Sequence, residues 1–400
     1  MAVQSPYPLA GITVVDLSQI YNGPYCTFLC AQAGADVIKV EPKGGEHLRR
    51  RAVLGGAALP FAMLNANKRS VSLDLKNPQG RDLLIEMVKR ADVLVENFAP
   101  GVTERLGLGV EAMHRINPRL VYAQSSGYGQ QGLYRDYPAM DLTVQAMSGV
   151  MDITGFADRE PVKAGPALCD FFAGVHLYGG IVTALFDRER TGRGRTVEVA
   201  MLDAVYASMG SQLGMSFGIG WEDAGRTGNR HGGLAESPYN VYPTSDGYIA
   251  IICVGEQHWK NLLDAMQRAD LRDDLRFASL KTRVAHMDVV DDLVSNFTKQ
   301  YKKQDLFALL MKHRVPCAPV RTLKEVVNDP HLHQRGMLQW IDHPELGRIV
   351  VQSSPMRYDN TPQLPHQPSR RLGEDNESVL TGWLGLSRDD VARLTNEGVV

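Results

Sequence analysis

GITVVDLSQIYNGPYCTFLCAQAGADVIKVEP, residues 11–42, decides the fold. GITVVDLS is a short, nearly continuous apolar run and reads as a buried strand. Pro24 then opens a helical stretch towards Gly34, as proline does in a first helical turn. ADVIKVE follows as a second strand. The same alternation continues outward. SVSLDL is a third strand, and Pro78 begins a helix through LLIEMVKR, whose apolar residues fall at helical spacing. ADVLVEN and LVYAQSSG are a fourth and a fifth strand. Strands alternating with helices of this length specify a parallel sheet with crossover helices, so the fold class is α/β, an open, doubly wound sheet.

From Asp141 the pattern turns helical, and Asp170 starts a long apolar segment that ends at Thr191-Gly192 with arginines in its last turn. RTVEVAML resumes a strand. GIGWEDAGRTGNRHGG has little periodicity and six glycines, which reads as a linker or mobile loop. A second unit starts near Ser237. YNVYPTSDGYIAIICV reads as a hairpin with Ser-Asp-Gly at the turn, and helices are expected at 256–267 and 288–313. GRIVVQSSP is a candidate strand returning to the first domain, and the tail reads as helical. The expected layout is a large domain over 1–200 and 330–400, a linker with the Gly-rich loop over 201–235, and a small domain over 236–329.

The chain has 400 residues, 44% hydrophobic and 22% charged, enough for about two domains with their own cores. A net charge of -2 gives no broad basic field for nucleic acid. The five cysteines match no zinc or redox spacing, and the histidines form no paired ligand motif, so no metal site is expected. Cys26 and Cys30 read as small buried residues sharing a helix face. The opening MAVQSPYPLAG has no basic region leading into an apolar one, and the apolar runs are interrupted by Gly, Asp or Arg before 18 residues. The expectation is a cytoplasmic protein with neither leader nor membrane span.

The turn after the first strand, SQIYNGPYC, holds one glycine, and GLGVEA at Gly107 lacks the third. Neither is the fingerprint that binds a dinucleotide, and a phosphate loop ending GKS or GKT is missing. Asp170 has two compatible readings: a cap whose carboxylate accepts helix-end N–H bonds, or an ionised nucleophile held by the same helix end. Asn67-Lys68-Arg69-Ser70, with Lys76 behind it, is either a solvated loop or a phosphate contact. Asn97-Phe98, with Arg105 after them, follow the fourth strand, where ligands of open α/β sheets bind, although Phe98 equally suits the core. His176 reads first as a packed, hydrogen-bonded histidine and second as a base. His231, in RTGNRHGG, is either a substrate contact or a surface residue.

At these residues the chain resembles a known family. PLAGITVVDLS, Gly23-Pro24, GADVIKVEP, NKRSVSLDLKNPQG, ADVLVENFAPG and SSGYGQ occur in order. ALCDFFAG, TGRGRTVEVAMLDA, SDGYIAI and LGEDNESVL follow. Together they resemble the class III CoA-transferases, the formyl-CoA transferase family, over essentially the whole chain. The resemblance implies a large Rossmann-like CoA-binding domain with a smaller α+β domain, in an interlocked homodimer. It implies CoA thioesters as substrates and no permanently bound cofactor. The family's nucleophilic aspartate matches Asp170. Its CoA contacts carry over to Leu73, Lys76, Asn97, Phe98 and Arg105, and also to Lys43. Where relatives place an active-site glutamine this chain has Tyr21, followed by Asn22, a departure that bears on acceptor preference. The family's glycine-rich active-site loop corresponds to residues 226–233. The α-methylacyl-CoA racemases of the same superfamily are the alternative. They require a His-Asp pair where this chain has Met140-Asp141, and without the histidine one of two bases for proton exchange is lost. The implied reaction passes CoA between an acyl-CoA and a free carboxylic acid through an aspartyl anhydride and an aspartyl-CoA thioester. Arg230 and His231, with Arg226 nearby, are candidates to meet the distal carboxylate of a dicarboxylate or hydroxyacid acceptor. A catalytically silent CoA-binding protein of the same fold is a third reading, which the intact Asp170 opposes.

Overall fold

The computed structural model describes residues 5–51, 58–222 and 224–400. The first four residues of the MAVQSPYPLAG opening and Asp223 of the glycine-rich stretch lie outside them. In chain order the first elements are β1 (Thr13–Asp16), α1 (Asn22–Gln32), β2 (Asp36–Glu41), α2 (Leu59–Asn65), β3 (Arg69–Ser72), α3 (Pro78–Arg90) and β4 (Val93–Glu96). Next come α4 (Val102–Arg105), α5 (Val110–Ile116), β5 (Val121–Ser126), α6 (Asp141–Met147), α7 (Leu168–Thr191), β6 (Thr196–Ala200), α8 (Met201–Tyr206) and α9 (Gly210–Ile219).

The six strands form one sheet in the order β3-β2-β1-β4-β5-β6. Every pairing is parallel. The chain winds outward from β1 in one direction, then from β4 in the other, so a crevice opens at the carboxyl ends of these two neighbours. Alternate side chains of each strand enter different cores. Val14, Val93, Val95, Val121 and Ala123 pack with α1 and α7 on one face. Val15, Leu94 and Tyr122 pack with α3, α5 and the chain's tail on the other. Burial on both faces explains why these strands read as apolar runs.

Two compact units divide the chain: residues 1–144, 166–205 and 327–400, and residues 145–165 and 206–326. In the second, β7 (Tyr239–Thr244) and β8 (Gly247–Ile252) are the hairpin read from the sequence, turning at Ser245-Asp246. The unit continues with α10 (Glu256–Ala265), α11 (Leu280–Ala285), α12 (Met287–Thr298), α13 (Lys303–Lys312), β9 (Cys317–Pro319) and α14 (Leu323–Val327, whose last residue belongs to the first unit). The single helix expected over 288–313 is broken. The Tyr301 carbonyl accepts from Ser245 N at 2.9 Å. Asp246 Oδ1 accepts from Lys303 N at 2.7 Å, so the hairpin turn claims the backbone groups a continuous helix would use. The first unit closes with α15 (Pro330–Gln334), β10 (Leu338–His343), β11 (Gly347–Gln352), a π-helical turn at Ser378–Trp383 and α16 (Arg388–Asn396). GRIVVQSSP is a strand, but it pairs antiparallel with β10 rather than joining the main sheet.

By length and composition alone α7 is long and apolar enough to cross a membrane, as core helices of globular proteins also are, and half of its apolar window is buried in the protein. Arg188 in its last turn is buried and pairs with Asp92 at 2.9 Å.

Candidate active site

One side chain ties the two turns at the crevice between β1 and β4 together. Asn97 Oδ1 accepts from Gln19 N at 2.8 Å, and Asn97 Nδ2 donates to Gln19 O at 2.8 Å. The amide thus closes a two-way bridge to the turn after β1. Beside it, Phe98 N donates to Glu96 Oε2 at 2.7 Å. Burial pushes the Glu96 carboxyl up to about 8, a shift the Phe98 bond opposes.

Beneath that turn lies a buried charge cluster. Lys68 is only 3% exposed. Its Nζ meets Asp16 Oδ2 at 3.0 Å, Thr27 Oγ1 at 2.7 Å, Asn65 Oδ1 at 2.9 Å and the Pro24 carbonyl at 3.0 Å. Asp16 also accepts from the backbone and hydroxyl of Ser18, and Lys39 Nζ donates to Ser18 O at 2.8 Å. Burial alone would raise the Asp16 carboxyl, but Lys68 and Lys39 outweigh it and hold it below its ordinary value. The Lys68 amine falls to about 8 because its burial exceeds the pull of Asp16. The NKRS cluster is therefore neither a solvated loop nor a phosphate contact at Lys68. That lysine shapes the β1–α1 turn from below, while Arg69 pairs with Asp36 at the surface.

Asp170 is the third residue of α7, not its cap. The cap position is Ala167, and the helix-end N–H groups of Cys169 and Asp170 donate to Asp141 Oδ1 at 2.8 and 3.4 Å. With that role taken by Asp141, the Asp170 carboxylate faces a cavity of about 300 Å³. It is 7% exposed. Burial pushes it up to about 7, the neighbouring Asp141 adds to the rise, and a backbone bond from Asn22 opposes it. Gly174 lets α7 approach this turn, since a Cβ there would meet the Asn22 carbonyl at 2.6 Å. Asn22 spends its Nδ2 on Ser125 Oγ at 3.1 Å, and its buried Oδ1 has no partner.

Asn22, Asn97, Phe98, Arg135 and Met140 line the cavity with Asp170. A second cavity, about 320 Å³, is lined by Leu73, Lys76, Phe98 and Arg105, and shares Gln19 as well as Phe98 with the first. Tyr21 and Lys43 line neither. Tyr21 packs on Phe171, with ring centroids 6.0 Å apart. Lys43 Nζ lies 3.0 Å from the space a Cβ at Gly398 would fill. His176 is exposed, its Nδ1 2.8 Å from the Phe172 carbonyl, and is not packed in the core.

The remaining candidates belong to the second unit. Arg230 is held by Asp288 at 2.6 Å and Asp291 at 2.7 Å. Arg226 donates to the carbonyls of Phe156, Asp152 and Arg159. His231 Nδ1 accepts from Gly233 N at 3.1 Å and Ala235 N at 3.3 Å, which places the ring proton on Nε2. Among the described residues no cluster of three or more His, Cys, Asp or Glu could hold a metal ion.

A model of CoA-transferase family III matches residues 9–376. The chain belongs to this family. The CoA-transferase is 35% identical over 399 residues to a succinyl-CoA–D-citramalate CoA-transferase of Chloroflexus aurantiacus, covering 99% of this chain and 98% of that one. It is also 35% identical to a formyl-CoA:oxalate CoA-transferase of Streptomyces coelicolor, over 98% and 99% of the two chains. Among solved structures, a CAIB/BAIF family protein from Brucella suis superposes with a TM-score of 0.83 at 33% identity, over 95% of this chain and all of that one. These relatives favour transfer over racemisation, in keeping with Met140.

Sequence reasoning did not single out Asp141 as the cap of α7, Glu96 as the support of Phe98, or Arg135. Asp141 left one signal, an acid opening the helix of YPAMDLTVQA. The other two depend on tertiary placement.

Proposed function

We propose that this CoA-transferase moves CoA from an acyl-CoA to a dicarboxylic or hydroxydicarboxylic acid through covalent intermediates on Asp170. One observation carries the reading: a buried carboxyl faces a cavity whose neighbour holds Lys76 and Arg105, and that burial pushes it up to about 7. Such a carboxyl is a stronger nucleophile than an ordinary aspartate and is still substantially ionised at neutral pH. Its attack on the donor thioester carbonyl forms the anhydride and expels CoA thiolate. The thiolate attacks the aspartyl carbonyl, leaving the aspartyl-CoA thioester and freeing the donor acid. The acceptor carboxylate attacks that thioester, expelling thiolate again. Thiolate attack on the acceptor's acyl carbon then yields the new acyl-CoA and restores Asp170.

Leu73, Lys76, Asn97, Phe98 and Arg105 are the proposed CoA side of the site, with Asn97 acting through Gln19. The dicarboxylate assignment draws on the citramalate and oxalate in the relatives' names. It does not draw on Arg230, whose charge two carboxylates already meet. An interlocked homodimer is part of the same proposal, and the family resemblance supports it. A cytoplasmic setting suits the five free cysteines.

The test is incubation with succinyl-CoA and a panel of acids, intact-mass analysis after borohydride and hydroxylamine trapping, and Asp170→Ala alongside. An adduct at Asp170 with a new acyl-CoA in solution supports the scheme. Full exchange by Asp170→Ala overturns it.

A further inference from the structure

The segment between β5 and α6 turns back on itself at a glycine. A Cβ on Gly127 would lie 2.0 Å from the Ala139 Cβ, so the two ends of 127–139 meet where no side chain separates them. Gly129 N donates to Ser126 Oγ at 3.0 Å, Gln130 N to Glu198 Oε1 at 2.6 Å, and Tyr137 N to Tyr134 O at 2.9 Å. The loop pinned in this way gathers three tyrosines. The ring of Tyr128 meets those of Tyr134 and Tyr137 edge-on, with centroids 6.1 and 6.2 Å away and interplanar angles of 71° and 83°. Tyr134 and Tyr137 lie 5.3 Å apart.

The rings do not serve the core. Tyr137 is 54% exposed and Tyr134 39%, and neither belongs to the two clusters that pack the main sheet. Tyr128 and Tyr137 instead line the Asp170 cavity, in company with Ile20, Met140 and Met201. Met140 is itself 54% exposed. A fixed aromatic wall left open beside a reactive carboxylate is apolar surface kept for a ligand. The carboxylate end of an acceptor answers to Asp170, but a short unbranched diacid offers nothing apolar to the tyrosines. A ring does: it buries a large area and pairs edge-to-face with aromatic neighbours, while methionine side chains adapt to its outline.

We propose that the acceptor of this CoA-transferase is an aryl-substituted dicarboxylic acid, its ring seated on Tyr128 and Tyr137 while its carboxylate attacks the aspartyl-CoA thioester. The inference rests on the CoA-transferase reading and narrows its acceptor class. The transfer steps are unchanged; Tyr128 and Tyr137 select the acid that enters them.

Initial rates with succinyl-CoA as donor and glutarate, 3-methylglutarate or 3-phenylglutarate as acceptor test it. Wild type should favour 3-phenylglutarate over glutarate in kcat/KM by about 10- to 100-fold, the effect of burying one ring. A methyl branch should gain only about 4-fold. Tyr137→Ala should shrink the phenyl-over-glutarate ratio by about 10-fold, and Tyr137→Phe should keep it, because the ring and not the hydroxyl makes the contact. Melting temperatures check that these exposed substitutions leave the fold intact. A wild type that uses glutarate as well as 3-phenylglutarate overturns the inference. So does a methyl branch that gains as much as the phenyl, or a Tyr137→Ala loss equal for all three acids. Intact-mass trapping separates the two levels: an Asp170 adduct without ring preference sinks the acceptor class alone, whereas no adduct and no new thioester with any acid undoes the transferase reading beneath it.

Discussion

The Asp170→Asn substitution should stabilise the protein, and by an amount that depends on pH. Asp170 is buried, and among the described residues it has no ion-pair partner. Burial and Asp141 lift its carboxyl from an ordinary 3.8 to about 7. Between those values the folded chain keeps a proton that the unfolded chain has released. Stability therefore falls as pH rises from about 4 to 7 and stays low above. A shift of roughly 3 units corresponds to ~4 kcal/mol at pH 8, at 1.36 kcal/mol per unit, and to ~1.6 kcal/mol at pH 5. Asparagine cannot ionise, so the variant escapes this cost. Differences in packing or hydrogen bonding between the two side chains add an offset that does not change with pH. At ~2 °C per kcal/mol for a large domain, the melting temperature of Asp170→Asn relative to wild type should climb by roughly 5 °C between pH 5 and pH 8. Thermal melts at equal protein concentration measure it, with intact mass confirming that the asparagine has not reverted. A gap that stays flat over that range, or narrows towards pH 8, refutes the assignment of a raised, desolvated carboxyl.

Three further outcomes follow from the same geometry. The kcat/KM of the free enzyme should rise about tenfold per pH unit below about 7 and level off above, because the ionised Asp170 is the attacking form; a flat pH profile counts against it. Asn97→Ala removes both bonds to Gln19, with an expected cost of ~1–3 kcal/mol in denaturant melts and a fall in kcat/KM, since Gln19 borders both cavities. Lys68→Met leaves Asp16 charged and buried, at ~3–5 kcal/mol, whereas Arg69→Ala, one residue away, removes only a partly exposed pair worth under ~1 kcal/mol; comparable melting losses for the two would contradict the buried cluster.

The sheet was legible because strands buried on both faces leave a simple trace. VV at 14–15, VIKV at 37–40 and VLV at 93–95 are apolar runs bounded by turn residues, with helices between them. The same signal cannot place a polar side chain. NKRS reads as solvated from its charges, yet Lys68 is buried because Asp16, 52 residues earlier, is there to meet it. The break in 288–313 carries no Gly or Pro, and its cause is a hairpin turn more than fifty residues upstream. Asp170 stood out through the motif order of a family. Its relation to Asp141, which caps the helix it might have capped and raises its carboxyl, exists only in three dimensions.

A perturbed titration would not have identified the nucleophile. Glu96 is raised to about 8, higher than Asp170, and a search for unusual acids would rank it at least as high. Yet Glu96 borders neither cavity, and its free energy goes into holding Phe98 N. What distinguishes Asp170 is access. Its helix-end duty has passed to Asp141, Gly174 lets its helix close on the β1 turn, and its carboxylate opens onto a space large enough for a thioester. The buried Asp16–Lys68 cluster then fixes the turn against which that carboxylate must be aligned. Stability is given up at one carboxylate, as expected where a fold must hold a reactive, desolvated charge in place.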